Sequence, residues 1–352
     1  MRDRRLPANI AVLLLSTVSS LIILEVVYRV YLFGLDGLSI EKMNSIHDLG
    51  DSGLLKTSEY PEIAFELRPN MNTYFKLASV ETNSRGLRDR EHDLTKPEDT
   101  FRVAVIGDSL TMASGVDIED TYHKVLERRL NLAPGSLRYE FINFGVGAYS
   151  LRQYWAVMYH KILKYEPDMV LVGFTPLNDY KIPAAKLFDR PYTVKPETHP
   201  FFESFAILRL RRVRDRQRKK MDIESRDATV CSEPEEEYMR DLFSKMSAFG
   251  GEHGIPIVIV YLLHKPTELR CGEKVRDTAE SSGLAYTIAR VPPESAGTGR
   301  YKIHPLDGHP NEEAHAIFAD QIHDYLRQSK LLERTNEAIP AGSAQGMTPR
   351  LR

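Results

Sequence analysis

The run Phe101-Arg-Val-Ala-Val-Ile-Gly-Asp-Ser-Leu110 carries the clearest chemical signal in the chain. An apolar, strand-forming stretch breaks at Gly107, a serine follows two positions later, and a helical pattern comes after it. Glycine permits a turn that most residues resist, and the first turn of the next segment offers backbone N–H groups without partners of their own. Ser109 therefore sits at the end of a buried strand beside free donors, where a weak nucleophile is useful once a base takes its proton. Asp108 is read as ordering this turn through side-chain-to-backbone hydrogen bonds.

Such a serine needs rigid elements around it, and the sequence supplies them. From residue 101 onward short apolar runs alternate with longer amphipathic ones: Val103–Ile106 then 119–131, Phe141–Phe144 then 149–165, and Met169–Phe174. After a break come a helix over 233–250, Ile255–Leu263, 271–282, Leu284–Ile288 and 311–328. This alternation predicts β-α units, hence an α/β fold with a parallel sheet and helices on both faces. Ser232-Glu-Pro-Glu235 reads as a capping box, and Gly250, Gly251 and Gly254 close the helix it opens. In such sheets function gathers at the carboxyl ends of strands.

Gly107-Asp-Ser-Leu110 resembles the first block of the GDSL, or SGNH, serine hydrolases, and later blocks follow in order over Phe101 to Arg327. The resemblance implies a flavodoxin-like three-layer α/β/α fold and ester hydrolysis without metal or cofactor. Asn143-Phe-Gly-Val-Gly-Ala-Tyr-Ser150 is similar to the second block, where a glycine N–H joins the oxyanion hole. Here the position five residues after Asn143 is Ala148, with Gly147 one residue earlier. Either Gly147 donates from a loop slipped by one, or Ala148 donates in a conformation that disfavours a side chain by about 1–2 kcal/mol. Asn178, after the third strand, stands where the family's asparagine amide supplies another donor; Asn-Asp is also an ordinary turn signal. Near the C-terminus Asp307-Gly-His309 matches the last block, with His309 as the base for Ser109 and Asp307 as its partner. One residue separates them where many members have two. His264, His304 and His315 are read as polar or packing residues.

The N-terminus sets the expected location. Met1-Arg-Asp-Arg-Arg5 precedes Ile10 to Leu24, where only Ser and Thr interrupt apolar residues, and apolar character resumes through Phe33. About 20 apolar residues span a bilayer. Glu25 and Arg29, four apart, are placed to pair on one helix face. The basic start favours a cytoplasmic N-terminus, and a cleaved signal peptide is the rival reading. The expected organisation is a stub and transmembrane anchor over 1–37, a linker and extended lead-in over 38–100, the hydrolase domain over 101–330 and a disordered tail over 331–352. Such a protein is a single-pass inner-membrane protein whose catalytic domain is periplasmic or extracytoplasmic.

Composition narrows the partners. The chain has 352 residues, 42% hydrophobic and 27% charged, with a formal net charge of −2, which argues against nucleic acid as a partner. Its two cysteines, Cys231 and Cys271, form no common zinc framework, so no metal is expected; outside the cytoplasm they are able to pair. An insertion over 181–232 breaks the alternation and holds a basic run over 209–220. It reads either as a solvated surface or as a contact for anionic lipid or polysaccharide. The implied substrates are acyl esters, O-acetyl foremost, on cell-envelope or exported polysaccharide, on lipids or on small molecules. An O-acyltransferase or a lysophospholipase would use the same residues, and a catalytically silent glycan-binding or assembly protein would keep the fold alone.

Overall fold

The computed structural model describes residues 5–133, 135, 137–175, 179, 232–264, 271–295 and 299–332. It begins with α1 (Arg5–Phe33), a helix of 29 residues and so about 43 Å long, more than the roughly 30 Å of a bilayer's hydrocarbon. The apolar stretch Ala8–Leu38 has a mean hydropathy of 2.5 and is long and apolar enough to cross a membrane. Glu25 and Arg29 pair at 2.7 Å, as their spacing suggested. The end of α1 is different in kind: Leu32 and Phe33 are buried with Met43 of α2 (Ile40–Asn44), and Leu77 and Leu306 pack onto them.

The lead-in folds into two small antiparallel pairs, β1 (Leu55–Thr57) with β2 (Phe65–Leu67) and β3 (Asn72–Phe75) with β4 (Ala78–Glu81). Leu54, Phe65, Leu67, Phe75 and Val80 are buried in the same apolar cluster as sheet residues Ala104 and Ile106. The main sheet comprises β5 (Thr100–Gly107), β6 (Arg138–Asn143), β7 (Met169–Phe174), β8 (Ile257–Leu263) and β9 (Ala285–Arg290), all parallel, in the order β6-β5-β7-β8-β9. The helices are α3 (Tyr122–Leu132), α4 (Leu151–His160), α5 (Glu233–His253), α6 (Gly272–Ser281) and α7 (Glu312–Gln328). A last hairpin pairs β10 (Lys302–His304) with β11 (Asp307–Pro310).

Alternation along β5 explains the layers. Val103 and Val105 pack with Tyr122, Leu126, Phe318 and Ile322 of α3 and α7. Ala104 and Ile106 face the other way, into α4, α5, α6 and the lead-in. Side chains two apart share a face, so a strand apolar throughout belongs in a sheet covered on both sides. This is the three-layer parallel architecture that the alternation predicted. Because β6 and β7 lie on opposite sides of β5, the chain reverses direction there, and the crevice opens at the carboxyl end of β5.

Some boundaries differ from expectation. The segment read as one helix over 149–165 starts at Leu151, ends at His160 and continues as a 3₁₀ turn, Ile162–Tyr165. Helix α3 starts at Tyr122 because Thr121 caps it, its hydroxyl accepting from the Lys124 N–H. The capping box at Ser232 opens α5 as expected, but the helix runs through Gly250 and Gly251 to His253, and the left-handed Gly254 alone closes it. Asp307 and His309, placed before the last helix, lie within β11. Cys271 is disulfide-bonded; Cys231, most of the insertion over 181–232 and nearly all of the tail lie outside the described residues.

The lead-in is fastened to the turn that carries Ser109 by Arg88, 1% exposed. Its guanidinium donates to the carbonyls of Met112 (2.6 Å), Ala113 (2.5 Å), Val116 (2.6 Å) and Ser79 (2.7 Å). No carboxylate among the described residues forms an ion pair with it, and burial lowers its pKa to about 10. Replacing it strands four buried acceptors, each worth about 1–3 kcal/mol when left unmade. Arg88→Met is expected to lower unfolding stability by on the order of 3 kcal/mol in urea titrations of the detergent-solubilised chain; a change below about 0.5 kcal/mol would contradict this account.

Candidate active site

Ser109 follows β5 in a turn held from several sides. The carboxylate of buried Asp108 accepts from the Leu110 N–H at 2.9 Å and from the Thr175 hydroxyl at 3.0 Å. Its carbonyl accepts from Met112 at 2.8 Å, and that of Ser109 accepts from Ser114 at 2.9 Å. Beneath the turn, Thr111 is wedged between strands that leave no room for side chains. A Cβ on Gly107 would lie 2.0 Å from the Thr111 hydroxyl oxygen, and one on Gly173 would lie 2.4 Å from it. Those glycines end β5 and interrupt β7 so that the turn can seat itself between them.

The hairpin β10–β11 brings the second half of the site. Nε2 of His309 lies 2.9 Å from the Ser109 hydroxyl oxygen, and Nδ1 lies 2.5 Å from Oδ1 of Asp307. The same Oδ1 accepts the His309 backbone N–H at 3.0 Å. With only Gly308 between them, one carboxylate oxygen serves both the backbone and the ring. Nδ1 must carry the proton to bond Asp307, which leaves the Nε2 lone pair facing Ser109. Burial alone would raise the Asp307 carboxyl, but the His309 hydrogen bond and charge and the Lys76 ammonium outweigh it and hold it well below the carboxylate range. Burial and Lys76 together outweigh Asp307 at the imidazole, keeping His309 below the usual 6.5. Thus Ser109 and the Asp307-Gly-His309 pair, two hundred residues apart in the chain, form one hydrogen-bonded line.

The loop after β6 closes against this line. Asn143 is buried; its N–H donates to Asp89 at 2.9 Å, its amide donates to the Arg88 carbonyl at 3.2 Å, and its side-chain oxygen accepts from Gly145 at 2.9 Å. A Cβ on Gly147 would lie 3.7 Å from that of Ser109. The Gly147 N–H points to the Met112 sulfur at 3.3 Å. Ala148 is exposed and has φ +67, the left-handed region disfavoured by a side chain. Among the described residues, the Ser109 and Ala148 N–H groups donate no hydrogen bond. Asn178 lies outside the described residues. Its neighbour Asp179 is buried, accepting from Tyr154 at 2.8 Å and from the Thr175 N–H at 2.5 Å. Burial and the nearby Asp108 push its carboxyl well above the usual carboxylate range.

Several residues here carried no sequence signal for this role. Lys76 donates to Oδ2 of Asp307, Leu49 borders Gly147, and Arg88 and Asp89 brace the two loops flanking Ser109. The turn-rich run Thr82–Asp89 was the available cue to the last two. His315, read as a polar or packing residue, is fully buried; its Nδ1 accepts from the Tyr122 N–H at 3.2 Å, and burial drives its pKa down to about 3. A cavity of about 800 Å³ borders Lys76, His304 and Phe33 but not Ser109, so it lies beside the triad.

No protein-family model and no curated protein matches the chain. Solved structures do match. The chain is similar to a two-domain esterase (CEX) active on acetylated mannans, co-crystallised with mannopentaose, at 17% identity and a TM-score of 0.45 over 66% of this chain and 50% of that one. It is similar to a GDSL-like lipase (BT0569) from Bacteroides thetaiotaomicron at 11% identity, TM-score 0.38, over 65% and 88%. A catalytic mutant of Axe2, an acetylxylan esterase from Geobacillus stearothermophilus, matches at 14% identity, TM-score 0.38, over 64% and 93%. The chain spans about half the length of the two-domain esterase structures it matches.

The left-handed Ala148 gives a direct test of the loop. Glycine there removes about 1–2 kcal/mol of conformational strain and returns about 0.4–1 kcal/mol of unfolded-state entropy. Ala148→Gly is therefore expected to leave thermal stability unchanged or slightly higher, and the β-branched Ala148→Val to lower it clearly. Equal melting temperatures for the alanine and valine forms would show that the position does not require this conformation.

Proposed function

We propose that the chain is a membrane-anchored serine esterase of the SGNH kind, acting on acyl esters outside the cytoplasm. The observation that carries the reading is the continuous line from Ser109 through Nε2 and Nδ1 of His309 to Asp307, at 2.9 Å and 2.5 Å. Ser109 Oγ attacks the ester carbonyl while its proton passes to His309 Nε2, and Asp307 stabilises the imidazolium. The developing oxyanion takes the N–H groups of Ser109 and Ala148, which have no other acceptor among the described residues, rather than that of Gly147, which is engaged by sulfur. The Asn178 amide is the third donor by its place in the third block; losing such a donor costs ~2.7–4 kcal/mol of transition-state stabilisation. His309 then protonates the departing alkoxide as its bond to carbon breaks, and water hydrolyses the acyl-enzyme by the same steps.

The anchor reading rests on the length and hydropathy of α1, and the orientation rests on Arg2, Arg4 and Arg5. A catalytic domain tethered at the outer face of an inner membrane meets cell-envelope and exported polysaccharide, whose O-acetyl groups are the favoured substrates. The detergent-solubilised full chain should hydrolyse short-chain nitrophenyl esters, with Ser109→Ala and His309→Ala each reducing kcat by about 10³-fold or more. Undiminished turnover by Ser109→Ala would overturn the reading. A base must be neutral to act, and His309 is held below the ordinary histidine value. The acid limb of kcat/KM is therefore expected below about pH 6.5, with activity lost as pH falls through that limb. A limb above about pH 7 would contradict the environment described for the imidazole.

A further inference from the structure

We propose that Lys76 is a positioning residue of this site, fixing the second carboxylate oxygen of Asp307 so that His309 stays aligned on Ser109. The inference rests on the esterase reading above. Because the tight Asp-Gly-His spacing makes Oδ1 serve both the ring and the backbone N–H of His309, Oδ2 is left for another donor. That donor is the Lys76 ammonium, which ion-pairs with Oδ2 and lies 3.3 Å from Nδ1 of His309. The Lys76 and Asp307 side chains are only 11% and 17% exposed, so water screens the pair weakly.

The chain holds Lys76 there against its local preferences. Lys76 and Leu77 form the two-residue turn of the β3–β4 hairpin with φ +53 and +76, a pairing that favours Asn-Gly and disfavours side chains at both positions. Tertiary contacts hold the turn. The Lys76 N–H donates to the Ser45 carbonyl at 2.9 Å, and the Leu77 N–H donates to the Ser45 hydroxyl at 2.9 Å. Leu77 packs with Leu306 onto Leu32, Phe33 and Met43. One apolar cluster at the end of α1 thus fixes both the residue after Lys76 and the residue before Asp307. A strained turn that delivers a charged group to a reacting centre is an expected form of preorganisation.

The ammonium does two things. It prevents Asp307 from rotating about its own side chain, which keeps the imidazole in register. It also opposes protonation of His309, so the base stays neutral to lower pH. The other titratable groups around that ring are Asp307 on its own strand, Asp108 under the nucleophile turn and neutral His315 on α7.

The test is Lys76→Met in the full chain, assayed with a short-chain nitrophenyl ester across pH. Misplacing a catalytic group slightly costs on the order of tenfold or more in kcat, with KM nearly unchanged. Loss of the ammonium should also move the acid limb of kcat/KM up by roughly one pH unit. Lys76→Cys treated with bromoethylamine restores a cation at nearly the same reach, and should recover both kcat and the limb. That rescue separates positioning from a folding defect. Wild-type kcat and an unmoved limb in a folded Lys76→Met protein would overturn the proposal, as would failure of aminoethylation to restore a folded Lys76→Cys protein. Absence of ester hydrolysis by the wild-type chain itself would instead overturn the esterase reading and this proposal with it.

Discussion

The buried guanidinium of Arg88 is the interaction on which the site depends. Four carbonyls meet it, three of them from the segment just after Ser109, so the loop behind that serine cannot move without breaking charge-assisted hydrogen bonds in a dry environment. Asp89, the next residue, accepts from the Asn143 N–H and pairs with Lys124 at 2.7 Å. Burial alone would raise that carboxyl, but Lys124 and His92 outweigh it and hold it well below the usual range. Two adjacent lead-in residues therefore brace both loops that flank the serine. The parallel sheet supplies a rigid edge, and the lead-in fixes what is mounted on it.

The proposed catalytic geometry follows from chain segments that meet only in the fold. The serine comes from the end of β5, the imidazole and carboxylate from β11, and the cation behind the carboxylate from the β3–β4 turn. Each is held by contacts outside its own element: Thr111 seated against Gly107 and Gly173, Leu306 against the end of α1, and Lys76 by Ser45. Four of the eight non-glycine residues with positive φ among the described residues lie in this neighbourhood. Ala113 after Ser109, Ala148 in the loop after β6 and the Lys76-Leu77 turn all have positive φ without being glycine. Such conformations persist where the surroundings over-determine them.

How much of this was legible in the sequence depended on how local each signal was. The strand–glycine–serine turn and the alternation of apolar and amphipathic runs are short-range patterns, and they gave the parallel sheet, its layers and the position of Ser109. His309 and Asp307 were readable through their place before the last helix, although a three-residue motif says nothing of the hairpin that carries them. Lys76, Arg88 and Asp89 were not legible in these roles. A lysine in a turn and an arginine in a polar loop look like solvated surface until long-range packing buries them, and four backbone carbonyls leave no mark in a sequence. The proposal of Ala148 over Gly147 as donor also rests on coordinates, because it turns on which N–H is already engaged.

The central claim is that Ser109 is an activated nucleophile, and covalent labelling reads that most directly. The full chain in detergent, treated with a fluorophosphonate and analysed by intact and peptide mass spectrometry, should carry one adduct, on Ser109. Labelling at another residue, or none on a folded protein, would contradict the account.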